Sequence, residues 1–361
     1  MSESKQKVPQ SDRVQQGARP PVDLKGLAAH LGLSKTTVSR VINKSPGSSR
    51  IPEATHKRVL EAATRLRYEP NIIARGLRKK KSFTIGVMVP EISEGYSTMV
   101  LGGIEDTLLQ EGFFYFVVSH RHRQQLLEGY PQLLLSRSVE GIIAIDTPIE
   151  GPLPVPVVAV SGHRHQEGLV NIQLDHTRAA HLALEHLRAL GHRQVAFIKG
   201  QVFSSDTKLR WKAICDVSAQ LGTSIDPQLT VQLEGTSPGT EPGYAATRRL
   251  LQTGRHFTAI FAFNDLSAIG AITALREAGL RVPEDVSVVG FDDILSASTN
   301  NPGLTTVHQP LHEMGEIAAS MLLEMIRERG QDMQGRQLVR VVPTFVVRQS
   351  TGPVKTPPPT V

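Results

Sequence analysis

In the decapeptide Ser34–Asn43, SKTTVSRVIN, cations and short hydroxyl side chains alternate with Val38, Val41 and Ile42. Helical spacing turns the apolar three to one face and Lys35, Thr36 and Arg40 to the other. Arg40 has the forked donors that bond a guanine edge in two places, and Lys35 and Thr36 stand at the helix start, where base edges come nearest. Ser34 is placed to cap the helix. With Thr37, Ser39 and Asn43 it makes the expected set of phosphate contacts, which set register but read no sequence.

These side chains need a scaffold, and the flanking residues supply one. Leu24, Leu27, Ala28 and Leu31 recur at helical spacing behind Asp23, a plausible cap, and Gly32 breaks that helix before Ser34. A third helix is expected from Pro52 to about Leu66, with Val59, Ala62, Ala63 and Leu66 on its apolar face. Three helices around one core, two of them meeting at a tight corner, have the shape that enters a major groove.

Next comes YEPNIIARGLRKKKS, Tyr68 to Ser82, where Pro70 ends the third helix and Asn71 can cap a short one over Ile72–Leu77. Two turns of helix are marginal in water, so this segment is expected to fold on DNA beside a second copy. Leu77, followed by Arg78, Lys79, Lys80 and Lys81, fits an apolar wedge in the minor groove, with Asn71 and Ala74 beside it. The plainer reading is a basic, solvated linker with Leu77 packed on the body.

Charge divides the chain in the same place. Residues 1–82 carry nine Lys and nine Arg against two Asp and four Glu, a net +12, so the remainder holds −6 of the overall +6. A basic head on an acidic body implies a polyanion partner at one end only. The polar N-terminus has no secretory signal, and no apolar run reaches the roughly 18 residues that span a bilayer. The lone Cys215 excludes an internal disulfide and multi-thiolate metal sites, which fits a cytoplasmic location. The expected divisions are a disordered tail at 1–21, the head at 22–68, a hinge at 69–82, a body at 83–350 and a second disordered tail at 351–361. That last stretch is proline-rich and lacks the heptads of a tetramerising coil.

From Phe83 onward, short apolar runs alternate with helical stretches. Strands are expected at Thr84–Val89, Phe114–Ser119, Gly141–Ile145, Val157–Val160, Val195–Ile198, Ala259–Ala262 and Val286–Gly290. Helices are expected between most of them, including Met99–Glu111, Arg178–Leu190 and Leu266–Ala278. Such a pattern means parallel sheets covered on both faces, and its length favours two doubly wound lobes over one sheet. A ligand cleft is expected between them, at the C-terminal strand ends.

The segments LAAHLGLSKTTVSRVIN and YEPNIIARGL resemble the lactose/galactose/purine repressor (LacI/GalR) family. So do GHRQVAFIKG at 191–200, FNDLSAIGA at 263–271, GLRVPEDVSVVGFDD at 279–293 and LTTVHQP at 304–310. The resemblance implies an α/β protein with a helix-turn-helix head, a hinge helix and a two-lobed body of the periplasmic-binding-protein type. It implies base reading by Lys35, Thr36 and Arg40, and an intercalating Leu77. It also implies effector binding by Arg210, Asn264 and Asp292, with Tyr96 packing on the effector and Asp206 on a segment that adds polar contacts. Two departures stand out. The loop KSPGSSRI after Asn43 is about three residues longer than usual, and Ser161 and Ser204 replace an acidic residue and a purine-responsive relative's arginine.

No nucleophile elbow, Walker loop, dinucleotide fingerprint or metal pair appears, so no enzyme, cofactor or metal is expected. Arg, Asn and Asp can bracket vicinal hydroxyls, so the expected effector is a sugar or sugar acid. Against these roles stand loop capping for Asn264 and Asp292, and a surface position for Arg210. The pairs His120–His122 and His163–His165 read as surface loops rather than metal ligands. Trp211 reads as a buried helix residue in preference to a sugar platform. The expected protein is a homodimeric, ligand-responsive repressor on near-palindromic operator DNA, with no membrane partner. The alternative is a sugar-binding or enzymatic body fused to a DNA tether.

Overall fold

Asp23 Oδ1 accepts from the Gly26 N–H at 2.7 Å and starts helix α1, Leu24–Leu31. Ser34 Oγ accepts from the Thr37 N–H at 3.0 Å and starts α2, Lys35–Ile42. Between them Gly32 takes φ 63°, a left-handed value that costs glycine nothing and lets the chain turn the corner. The third helix, α3, spans Glu53–Arg65, with Pro52 just before it. Leu27, Val38, Val41, Val59 and Ala62 close the shared core. Arg58 Nη2 donates to the Leu31 carbonyl at 3.3 Å, which fastens α3 to the end of α1. In the long loop, Ser48–Arg50 form a single 3-10 turn, and His56 Nε2 reaches the Ser48 carbonyl at 2.9 Å.

The structure is a computed structural model describing residues 22–43, 45, 47–68, 81–93, 95–161, 169–328 and 338–354. Asn71, Ala74, Leu77, His163 and His165, and the expectations placed on them, lie outside the described residues. The chain divides into two units, Met1–Lys81 and Ser82–Val361, the head and the body.

The body holds two six-stranded sheets. The first is built from β1 (Thr84–Val89), β2 (Phe114–Ser119), β3 (Gly141–Ile145), β4 (Val157–Val160), β5 (Leu169–Leu174) and β11 (Leu338–Val341), in the order β11-β5-β4-β3-β1-β2. Every pairing is parallel, with Ile85 opposite Gly141 and Ile142 opposite Val157. β1, β3 and β4 are buried along their whole length, as parallel strands covered on both faces must be. One face packs on α4 (Tyr96–Gln110) and α11 (Leu311–Arg327), the other on α5 (Gln124–Ser136). Gly103 lets α4 and α11 touch, because a Cβ there would lie 1.9 Å from the His312 carbonyl.

The second sheet contains β6 (Val195–Lys199), β7 (Thr230–Gln232), β8 (Ala259–Ala262), β9 (Ser287–Asp292), β10 (Thr305–His308) and β12 (Thr344–Val346). Its order is β12-β10-β9-β8-β6-β7, and only β12 runs antiparallel. Helices α6 (His176–Ala189) and α7 (Asp206–Gln220) cover one face. α8 (Glu241–Gln252) and α9 (Asp265–Glu277) cover the other, and a short α10 (Leu295–Thr299) follows β9. The chain passes between the lobes at 174–176, 308–311 and 341–344.

Two expectations need correcting here. Thr351–Val354 are not part of a loose tail: the Val354 N–H donates to the Leu190 carbonyl at 2.9 Å and the Gly352 N–H to Ser287 Oγ at 3.1 Å. These contacts carry the packed body past 350. Nor is His120 a surface residue: it is 3% exposed, with Nε2 at 3.1 Å from Thr147 Oγ1. Burial drives its pKa down to about 4, so it sits in the body as a neutral hydrogen-bonding group.

Candidate functional site

In the head, Lys35, Thr36 and Arg40 are all exposed on one side of α2, while Val38 and Val41 are buried on the other. Ser34 Oγ and Thr37 Oγ1 lie 2.9 Å apart at the helix start, beside first-turn amides that can meet an anion. Ser39 departs from its expected role. It is 8% exposed, and the Asn43 side-chain amide donates to its carbonyl at 2.8 Å and to its hydroxyl at 3.2 Å. Ser39 and Asn43 close the end of α2 on each other instead of both pointing outward.

In the body, a cavity of about 120 Å³ opens between the lobes at the C-terminal ends of the strands. Tyr96, Asp206, Arg210, Asn264 and Asp292 all line it, so the fold brings together five residues spread over nearly 200 positions of sequence. Tyr96 comes from the start of α4, Asp206 and Arg210 from the first turns of α7, Asn264 from the end of β8 and Asp292 from the end of β9.

Arg210 is the organising group. Its guanidinium lies over the Phe291 ring at 3.6 Å and the Phe263 ring at 4.4 Å, a flat stack that a lysine could not make. Nη2 donates to Asp206 Oδ2 at 3.1 Å, and Nη1 donates to the Phe263 carbonyl. At 4% exposure Arg210 is no surface arginine; its charge is largely spent on protein groups. Asp206 is also met by His176 Nε2 at 3.3 Å, at the 174–176 crossing.

Asp292 accepts from Gln309 Nε2 at 2.5 Å. Burial drives its pKa up to about 7 against the pull of Arg210 and the Gln309 hydrogen bond, and the nearby Asp206 charge pushes the same way as burial. Asn264 Oδ1 caps α9 by accepting from the Ser267 N–H at 2.9 Å, so the capping role is real and leaves its amide nitrogen for the cavity. Trp211 does not line the cavity; it packs edge-on against Phe197 and is half-buried, less enclosed than the buried helix residue expected.

Sequence reasoning missed Asp146 and Asp265, and read His122 as a surface loop residue. Asp146 lines the cavity from the end of β3, and loss of water together with the Asp206 charge moves its pKa up to about 6. His122 faces Phe203 across the cleft with ring centroids 3.9 Å apart. Asp265, fully buried, accepts from the Ile294 N–H at 2.9 Å and from Thr306 Oγ1, and so holds the loop that carries Asp292. A backbone signal marks this rim. Arg121, His122, Asp146, Ser161, Asp292 and Asp293 all take left-handed φ values, a strain that non-glycine residues hold where surrounding structure enforces it.

Residues 23–71 match the family described as bacterial regulatory proteins, lacI family, and residues 184–351 match the periplasmic binding protein-like domain. The HTH-type transcriptional repressor PurR of Aliivibrio fischeri (strain MJ11) is 30% identical over 336 residues, spanning 91% of this chain and 97% of its own. The chain belongs to the lacI family of bacterial regulatory proteins. Its structure is similar to the lac repressor dimer bound to operator and the anti-inducer ONPF, with a TM-score of 0.79, 28% identity, and coverage of 92% of this chain and 100% of that one. A complex of the transcriptional regulator CelR with cellobiose matches at a TM-score of 0.68 and 27% identity, with the same coverage. This lacI-family member is thus a DNA-binding transcriptional regulator with a small-effector-binding body. Among its described residues no helix is long and apolar enough to cross a membrane.

Proposed function

We propose that the protein is a cytoplasmic repressor that binds a near-palindromic operator as a homodimer and answers to a neutral carbohydrate in the cleft, without turning it over. The observation that carries the DNA half is the exposed trio Lys35, Thr36 and Arg40 on a helix whose other face is sealed in a core. Two such heads read two half-sites, which is why the operator is expected to be near-symmetric. The wedge role of Leu77, with Asn71 and Ala74, belongs to the same reading.

The cleft favours a neutral sugar over a sugar acid. Three carboxylates, Asp146, Asp206 and Asp292, face it together with one guanidinium that already pairs with Asp206. Among the described residues a sugar acid would meet no cation that is not already paired, whereas hydroxyls can use the three carboxylate acceptors and the Asn264 donor. Ser161, through its carbonyl, and Ser204 are both drawn into contacts between the lobes, so the effector of a relative with other residues there does not carry over.

The test is fluorescence anisotropy on an operator selected from random duplexes, repeated with neutral sugars and their acid counterparts. A neutral sugar should shift operator affinity and raise the body's melting temperature, and the acids should do neither. Chemical turnover of the sugar, or equal affinity for every duplex, would sink the reading.

A further inference from the structure

Contacts across the cleft converge on one short segment, Phe203–Ser205, between β6 and α7 of the second lobe. The Ser205 N–H donates to Asp146 Oδ1 at 2.9 Å, and Ser204 Oγ donates to Asp146 Oδ2 at 3.2 Å. The Ser205 hydroxyl lies against two acceptors of the first lobe, the Asp146 carboxylate and the Ser161 carbonyl. Ser161 is held in turn by Tyr96, whose hydroxyl shares a hydrogen bond with Ser161 Oγ at 2.6 Å. Phe203 meets the His122 ring from the same side. Asp146 and Ser161 end neighbouring strands β3 and β4, and both hold left-handed backbone, φ 39° and 57°.

The hydroxyl geometry poses a problem in proton count. Ser205 Oγ has one proton and two acceptors facing it, so an ionised Asp146 and the Ser161 carbonyl compete for it. A proton on Asp146 resolves the competition: the carboxyl donates to Ser205 Oγ, which donates to the Ser161 carbonyl. We infer that Asp146, Ser205 and Ser161 form a proton-carrying clasp that holds the two lobes together in the absence of effector. The clasp lies directly before Asp206 and Arg210 on the same chain segment, so opening it moves the start of the helix that lines the effector cavity.

The charged and titratable groups around Asp146 agree with a proton there. Asp206 on α7 faces it as a like charge, Asp292 at the end of β9 adds a second carboxylate to the same cavity, and Tyr96 on α4 brings a neutral phenol. Among the described residues that line the cavity, Arg210 is paired with Asp206, and His122 has its pKa lowered by burial. Asp146 rises toward neutrality in this setting, to about 6, despite three serine hydrogen bonds that favour its charged form.

Hydrogen exchange of the Ser205 amide in the full-length protein tests the clasp directly, because that amide bonds Asp146 itself. Corrected for intrinsic rates, its protection should be greater at pH 5.5 than at pH 8. Asp146→Asn, which is neutral at every pH and can still accept from the amide through Oδ1, should keep the protection and abolish its pH dependence. Asp146→Ala should speed exchange about tenfold or more, and Ser205→Ala should do so by less. The clasp is overturned if Asp146→Asn exchanges as fast as Asp146→Ala, or if pH dependence survives in Asp146→Asn, which would place the proton on another group such as His122. It rests on the body being an effector-binding module, but the two fail separately. Loss of operator or sugar response with intact Ser205 behaviour removes only the functional reading.

Discussion

Gln309 donates its side-chain amide to Asp292 Oδ1 at 2.5 Å, and Gln309 itself lies in the 308–311 passage from the second lobe back to the first. A carboxylate of the effector cavity is thereby bonded to one of the segments that cross between the lobes. Gln309→Leu keeps the volume and removes the donor. The body's urea transition should fall by about 1.5–3 kcal/mol, the usual cost of losing a hydrogen bond to a charged group. An unchanged midpoint would mean that the pair adds nothing in water.

Arg210→Met should be costlier than its volume suggests. It leaves Asp206 and Asp292 facing each other without the guanidinium, a loss of about 3–5 kcal/mol for a broken buried pair. Arg210→Lys keeps the charge but not the flat stack on Phe291 and Phe263, and should fall between wild type and Met. Calorimetry of the three proteins orders them, and Lys as damaging as Met would assign the stability to stacking alone.

On DNA, Arg40→Ala should cost about 1–3 kcal/mol and relax preference at one base position in each half-site. Ser39→Ala should change operator affinity little, because that hydroxyl is taken by Asn43. Binding measured on a set of single-base operator variants separates the two. Uniform weakening across that set by Arg40→Ala would make Arg40 a phosphate contact.

Stability should pass through a maximum with pH. Asp292 and Asp146 have native pKa values raised to about 7 and about 6. Their contribution is fully present below the ordinary carboxylate range and is lost as pH rises through those values. Falling from pH 8, the body therefore gains stability first through Asp292, whose charged neighbours Arg210 and Asp206 enter that value, and then through Asp146. Histidines oppose them lower down. His120, with its pKa near 4, and His122, His186 and His192, all lowered by burial, stay neutral in the fold while the unfolded chain protonates below about 6.5. Melting temperatures from pH 5 to 8 should rise and then turn over, and Asp292→Asn should flatten the upper limb. A monotonic loss on acidification in wild type would contradict the raised carboxylates.

Much of this was legible before folding. Strands such as β1, β3 and β4 are uninterrupted apolar runs, and caps such as Asp23 and Ser34 are local devices read within three residues. β5, β7, β10, β11 and β12 escaped because they are short or carry polar residues, such as Asn171 and Gln173 in β5, and their pairing is decided by distant neighbours. Asp146 follows an ordinary strand and carries no local mark, and the His120–His122 pair does not show that His122 meets a phenylalanine of the other lobe.

The sequence alone determined which residues face outward on α2, where the charge lies, and that the body alternates strand and helix, because periodicity and capping act over one or two turns. Only the tertiary structure decided that Arg210 is spent on Phe291 and Phe263, and that Ser205 closes on Asp146. Those outcomes depend on how much water each group loses and on which partner, from another strand of the same lobe or from the other lobe, reaches it, quantities that exist only once distant strand ends share one cleft.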